Sequence, residues 1–251
     1  MRALTAPELL EVWERGKSQT PPRRALSLLG AACPELSPEA LARLSIGGRD
    51  ARLLTLREWM FGPQLTSLAT CPECHQQVEL NINADDLRVA SVDGVAGEDA
   101  PETFTLRAGG YEVRFRLPNS LDLEAIADSG QKGIGAAKHV LLERCLLTIE
   151  RAGEKVAVKS LPDEVITAIT EHMRQADSQA DVQLALACPQ CGARWQEQFD
   201  IEFFFWDEIS AWAERLLSEV HIIASRYGWR ERDILNMTAS RRHHYLNLIN
   251  G

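Results

Sequence analysis

The sequence lacks a long apolar run, an excess of basic residues and a recognisable catalytic motif. Its first residues, MRALTAPELLEVWERGKSQT, alternate apolar and charged positions, so they contain neither the apolar stretch of a signal peptide nor a membrane span. The formal net charge of −9 repels phosphate backbones and anionic bilayers at long range. We therefore expect a cytosolic protein that binds other proteins and does not associate with membranes.

Phosphate-loop and hydrolase motifs are also missing. The segment GQKGIG, Gly130 to Gly135, lacks the order G-x-x-x-x-G-K-[ST], so we interpret it as a loop or the start of a helix. His139, His172 and His221 stand alone in helical stretches, and no serine, histidine and acid grouping has motif support. The sequence predicts no enzymatic activity and no small-molecule substrate.

The outer parts of the chain are predicted to be helical. Thr5 and Ser37 are placed to cap short helices separated by prolines, and RDARLLTLREWMF predicts a helix that ends near Gly62. Toward the other end, WQEQFDIEFFFW is strand-like, and a long helix is predicted from Asp207 to Gly228. Two shorter helices follow, the second after Thr238 as N-cap.

The middle of the chain has a different pattern. A small, polar and acidic segment, SVDGVAGEDAPE, precedes TFTLRAGGYEVRFRL, whose alternation about Gly-Gly predicts a β-hairpin. Two helices should follow, the first over roughly 134–149. The second is opened by SLPDEV, where Ser160 and Asp163 have capping-box spacing.

Four of the six cysteines form two C-x-x-C pairs, CPEC and CPQC. Two such turns can complete a closed tetrahedral site for one structural zinc ion, and paired C-x-x-C units in a reducing cytosol favour metal over disulfides. The other two cysteines, Cys33 and Cys145, stand alone. The predicted zinc ligands are Cys71, Cys74, Cys188 and Cys191.

The spacing of the pairs predicts a zinc ribbon that is split by an insertion. The 113 residues numbered 75 to 187 separate the pairs, against roughly 15 to 20 in simple fingers. We therefore expect an α+β fold in which a mixed α/β insertion interrupts the ribbon between helical outer segments. The predicted divisions are an N-terminal helical segment 1–66, a first knuckle and strand 67–86, an inserted hairpin with helices 87–180, a second knuckle and strand 181–205, and a C-terminal helical segment 206–251.

Two other interpretations of the cysteines stay open. A thioredoxin-like redox pair would give a thiol enzyme that depends on Cys71 or Cys188, although neither pair follows a strand and opens a helix. Four unmetallated cysteines in turns are the second alternative.

The tail TASRRHHYLNLI raises a nucleic-acid hypothesis. A helix, a turn, a short helix and a basic helix loosely imitate a helix-turn-helix, with Arg241, Arg242, His243 and His244 expected on the exposed face. A zinc-ribbon regulator is therefore the alternative function. The net charge of −9 and the acidic residues of WDE, SEV and RERD oppose it.

Several stretches together resemble a known family. These are LSIGGRDARLLTLREWMFG, CPEC, CPQCGARW and a C-terminal stretch with the pattern EVHxIAxxYGWxExDIL followed by RRxxYLxLI. They are similar to the baseplate hub assembly chaperone family of T-even-like contractile phage tails, which has relatives among contractile injection system genes. The resemblance covers residues 45–86 and 187–249.

This resemblance implies a non-enzymatic baseplate assembly protein, acting as a chaperone or a minor baseplate component. Its partners would be hub, spike or wedge proteins, and it would reside in the cytosol or in the assembled particle. The resemblance assigns partner binding to the C-terminal helices. For Tyr227 and Trp229, packing of the helix turn into the core is an equal alternative. The matching residues are Tyr227, Trp229, Arg241, Arg242 and Tyr245.

Overall fold

A computed structural model describes residues 1–89, 103–129 and 133–250. Within these ranges the helices are α1 Ala6–Gly16, α2 Pro21–Ala32, α3 Pro38–Arg43, α4 Ile46–Phe61, α5 Ser120–Ser129, α6 Ile134–Cys145, α7 Asp163–Ala176, α8 Ile201–Tyr227, α9 Glu231–Leu235 and α10 Ala239–Asn250. The strands are β1 Gln64–Thr70, β2 Gln77–Asn83, β3 Thr103–Ala108, β4 Tyr111–Arg116, β5 Leu146–Arg151, β6 Glu154–Lys155, β7 Gln183–Ala187 and β8 Arg194–Gln198. The predicted α+β class is confirmed.

The N-terminal helices begin at the residues that the caps predict. The Thr5 hydroxyl and the Glu8 carboxylate form a capping box at α1, and Ser37 accepts the Ala40 N–H at α3. Pro21 and Pro22 occupy the first turn of α2, where a missing N–H costs nothing, so they begin a helix as well as separating two.

The long helix α8 organises the main hydrophobic core. It packs against α1, α2, α4 and α10. Its buried face repeats at helical spacing through Phe205, Ile209, Ala213, Leu216, Val220 and Ile223. The N-terminal and C-terminal helices therefore share one core, although residues 62–200 lie between them.

The middle of the chain has a second core of its own. The predicted hairpin is confirmed, with Phe104 opposite Phe115 and a turn at Gly109 and Gly110, whose φ angles are 57° and 79°. Strands β5 and β6 extend the hairpin into a four-stranded antiparallel sheet. Helix α7 covers one face of it, with Ile169 fully buried.

Two expectations for the middle of the chain were wrong, and one helix was missed. Helix α6 ends at Cys145, because residues 146–151 pair with β4 as strand β5. Ser160 belongs to a 3-10 turn and α7 has Pro162 at its N-cap, so no capping box forms. Helix α5 was not predicted, and the Asn119 side chain begins it by accepting the N–H groups of Leu121 and Asp122. The segment SVDGVAGEDAPE and residues 130–132 of GQKGIG lie outside the described residues.

The strand expected through IEFFFW was also wrong. Strand β8 ends at Gln198, and the Asp200 carboxylate accepts the Phe203 N–H at 3.1 Å, which starts α8 at Ile201. The predicted end of this helix is confirmed, since Gly228 has a left-handed φ of 66°. Among the described residues, no helix is long and apolar enough to cross a membrane.

Buried ion pairs join α4 to α8. Arg57 is 2% exposed, and its guanidinium donates to both carboxylate oxygens of Glu208, at 2.7 and 2.6 Å. It also donates to the Gly62 and Gln64 carbonyls, where the chain leaves α4 for β1. A second arginine, Arg49, lies 3.2 Å from the Glu202 carboxylate, and burial raises the pKa of Glu202 to about 7.

The end of the middle segment is fastened to the start of α4. Asp177, which follows α7, accepts the Gly47 N–H at 3.0 Å and the Ser45 hydroxyl at 3.1 Å. A Cβ on Gly47 would overlap Asp177 Oδ1 and lie 2.9 Å from the Ala180 nitrogen. Position 47 therefore requires glycine, because Asp177 and the Ala180 backbone approach it too closely for a side chain.

Replacing Gly47 by alanine should break this contact. We expect Gly47→Ala to lower the free energy of unfolding by about 1–3 kcal/mol, because the added methyl displaces Asp177. Gly30→Ala in α2 is the matched control, since nothing lies within 4 Å of the added Cβ and its gain in helix propensity is the same. Equal stability of the two variants in urea unfolding would contradict this account of the junction.

Candidate metal centre

Each cysteine pair lies in the turn of its own β-hairpin. Strands β1 and β2 flank the first pair, with Ala69 opposite Val78, and β7 and β8 flank the second, with Leu186 opposite Trp195. The sequence pattern predicted the strand after each pair but not the strand before it. In β1, Leu65 and Ala69 lie on the buried face, and in β7, Leu184 and Leu186 share the more buried face.

The two turns have the same backbone geometry. In the first turn, the Cys71 N–H donates to the Gln76 carbonyl at 2.9 Å and the His75 N–H donates to the Cys71 carbonyl at 3.0 Å. The turn at Cys188 repeats both bonds at the same offsets, at 2.8 and 2.9 Å. The fifth position of each turn is left-handed, with φ of 58° at His75 and 77° at Gly192. The two pairs are therefore two copies of one knuckle.

The four sulfur atoms converge on one point. All of them lie within 4.8 Å of one another, and the cysteines are free thiols. The Cys71 and Cys191 sulfur atoms are 3.7 Å apart, and those of Cys74 and Cys188 are 3.6 Å apart. A tetrahedral zinc ion with Zn–S bonds of about 2.3 Å requires sulfur separations of about 3.8 Å. The cluster therefore has the size and ligand set of a four-cysteine metal site.

The site is half embedded in the protein. Cys71 and Cys188 are buried and pack with Val78, whereas Cys74 and Cys191 are exposed. All four ligand atoms are sulfur, so a bound ion would have no open position for water or substrate, which is the arrangement of a structural site. Neither pair opens a helix, as a thioredoxin-like motif would.

Local hydrogen bonds give the thiols different acidities. The N–H groups of Cys191 and Gln190 lower the pKa of Cys188 to about 7, against the opposing effect of desolvation. At Cys74 the Gln76 N–H lowers the pKa, but desolvation and contacts with the other sulfur atoms outweigh it and raise the pKa to about 12. Because a metal binds thiolates, its affinity falls as the pH falls.

Three predicted partner-binding residues are brought together at the end of α8. The rings of Tyr227 and Trp229 are stacked with centroids 4.7 Å apart, and Tyr245 meets them edge-on at 5.7 and 4.9 Å. The guanidinium of Arg241 lies 5.9 Å from the Tyr245 ring. These four residues form a single aromatic and basic cluster that remains partly exposed.

Arg242 does not belong to that exposed cluster. It is 5% exposed, donates to Glu219 of α8 at 2.8 Å and donates to the Met237 carbonyl at 2.7 Å. The expectation of an exposed Arg242 was wrong, because its position on α10 faces α8. Its side chain holds the C-terminal helix in place.

Loss of one knuckle thiol should remove the ion. We expect Cys188→Ser to abolish stoichiometric zinc and to lower the unfolding free energy by at least about 3 kcal/mol, or roughly 10 °C in melting temperature, because a structural ion contributes folding energy. Zinc content and thermal unfolding are the measurements. Cys33→Ser is the control and should retain the ion, since Cys33 lies outside the cluster. Unchanged melting of Cys188→Ser would show that the cluster does not support the fold.

Comparison with known proteins identifies a family. The profile described as T4 bacteriophage base plate protein matches residues 17–206. Searches of curated proteins and of solved structures found no match. The matched stretch includes both knuckles and the inserted middle, and most of α8 with all of α9 and α10 lies beyond it. Because the match covers well over half of the sequence, the chain belongs to the T4 bacteriophage base plate protein family, whose role lies in the structure or assembly of the phage baseplate.

Proposed function

We propose that this protein is a non-enzymatic assembly factor or minor component of the baseplate of a contractile phage tail or contractile injection system. It would bind hub, spike or wedge proteins in the cytosol and, as a minor component, stay in the particle. The family match over residues 17–206 carries this proposal. The closed set of four sulfur ligands supports a scaffold over a catalyst.

In this proposal one zinc ion joins the two knuckles into a split zinc ribbon. The hairpins β1–β2 and β7–β8 belong to separate sheets and share no strand pairing. The bases of both hairpins pack on the main core, through Leu65 and Ile82 of the first and Leu184 of the second. The ion would tie the free ends of the hairpins together, so the scaffold would be rigid at both ends.

The C-terminal helices would provide the partner surface. Tyr227, Trp229, Arg241 and Tyr245 lie together and are partly exposed, and tyrosine, tryptophan and arginine dominate the energetics of protein interfaces. Arg242 would support this surface from inside by its bond to Glu219.

The zinc-ribbon regulator has weaker support. Helix α9 has five residues, and the burial of Arg242 removes one of the cations that would neutralise phosphates.

Particle assembly tests the proposal directly. Cells that lack the gene should produce no sheathed particles in the electron microscope, and a plasmid copy of the wild-type gene should restore them. A plasmid with Cys188→Ser should fail to restore them, because the scaffold loses its ion, whereas Cys33→Ser should succeed. Full numbers of normal particles without the gene would refute the assembly role.

A further inference from the structure

We infer that the surface around Tyr227, Trp229 and Tyr245 docks a carboxylate-rich segment of a baseplate protein. The inference rests on the proposed function, because it specifies the partner of the C-terminal surface. The surface consists of these three aromatic residues with Arg226, Arg230 and Arg241, and we call it the C-terminal face.

The aromatic rings of the C-terminal face are fixed before any partner binds. Tyr227 and Trp229 are stacked with an interplanar angle of 18°, and Tyr245 stands at 68° and 85° to them. Tyr227 is 38% exposed, and Trp229 and Tyr245 pack partly against the main core. Side chains that are already ordered lose little conformational entropy when a partner covers them.

Two exposed arginines are next to these rings in the sequence, and a third lies against one of them. Arg226 precedes Tyr227, Arg230 follows Trp229, and the Arg241 guanidinium lies 5.9 Å from the centroid of the Tyr245 ring. Within the described part of the chain, none of the three has a carboxylate at ion-pair distance. The other two arginines of the region differ, since Arg242 binds Glu219 and Arg232 lies 3.6 Å from Asp233. Three guanidinium groups are therefore free to bind carboxylates in bidentate geometry.

The charge of this region is opposite to that of the chain. Residues 226–245 contain five arginines and two acidic residues, whereas the formal net charge of the whole protein is −9. An acidic partner is therefore attracted to this face by the arginines, whereas the net negative charge of the rest of the protein disfavours its binding elsewhere.

A short acidic segment fits this face better than a nucleic acid does. Duplex DNA carries a charge about every 1.7 Å, so most of its charges would lie farther from the arginines than the Debye length of about 8 Å and would gain no attraction from them. The stacking of Tyr227 on Trp229 also occupies ring faces that single-stranded bases would need. A protein loop with a few carboxylates needs neither a long row of cations nor free ring faces for stacking.

Charge reversal with a matched control tests the inference. The probes are a fluorescent glutamate peptide of about ten residues and a DNA duplex of about 20 base pairs. The variant Arg226→Glu/Arg230→Glu/Arg241→Glu should bind the peptide at least about tenfold more weakly at low salt, because three ion pairs are lost. The control Arg43→Glu/Arg114→Glu/Lys159→Glu changes the net charge equally at exposed residues elsewhere and should bind like wild type.

The same two variants are then compared in the particle assay. The charge-reversed face should fail to restore particles although its melting temperature matches wild type, and the control should restore them. Equal peptide binding by wild type and the face variant, tighter binding of DNA than of peptide, or full restoration by the face variant would each overturn the inference. None of those results contradicts the proposed function. The proposed function is contradicted only if cells without the gene still make normal particles.

Discussion

The convergence of four cysteine sulfur atoms is the constraint on which the rest of the structure depends. It joins two turns that are separated by residues 75 to 187, so both ends of the inserted segment return to one place. The close approach of four cysteine sulfur atoms is energetically favourable when an ion binds them as thiolates. Because the ligands come from two hairpins without shared strand pairing, the ion would supply the link that backbone hydrogen bonds do not.

Other contacts extend this constraint through the molecule. Arg57 and Glu208 join the helix before the first knuckle to the helix after the second, and Asp177 joins the inserted segment to the start of α4. Each contact connects parts of the chain that are more than a hundred residues apart. The inserted sheet retains its own core, so the protein combines two cores with a few specific links between them.

Local chemistry made much of this architecture predictable. The Gly109–Gly110 turn, the Thr5 cap and the Gly228 stop are set by neighbouring residues, and the spacing of the cysteines indicated the sulfur cluster. The wrong predictions concern residues whose structure is determined by contacts with distant parts of the chain. Leu146 belongs to a strand because β4 pairs with it, and Arg242 is buried because it binds Glu219 on another helix. A single sequence does not contain the positions of such partners, so these features required the structure.

We propose that one structural zinc ion, held by four sulfur atoms, unites the two knuckles of this baseplate-family protein. X-ray absorption at the zinc edge, with metal content measured on the same wild-type sample, tests it most directly. The expected result is one zinc ion per chain with four sulfur neighbours at about 2.3 Å. A metal-free protein with four reactive thiols, or an ion with oxygen or nitrogen ligands, would contradict it.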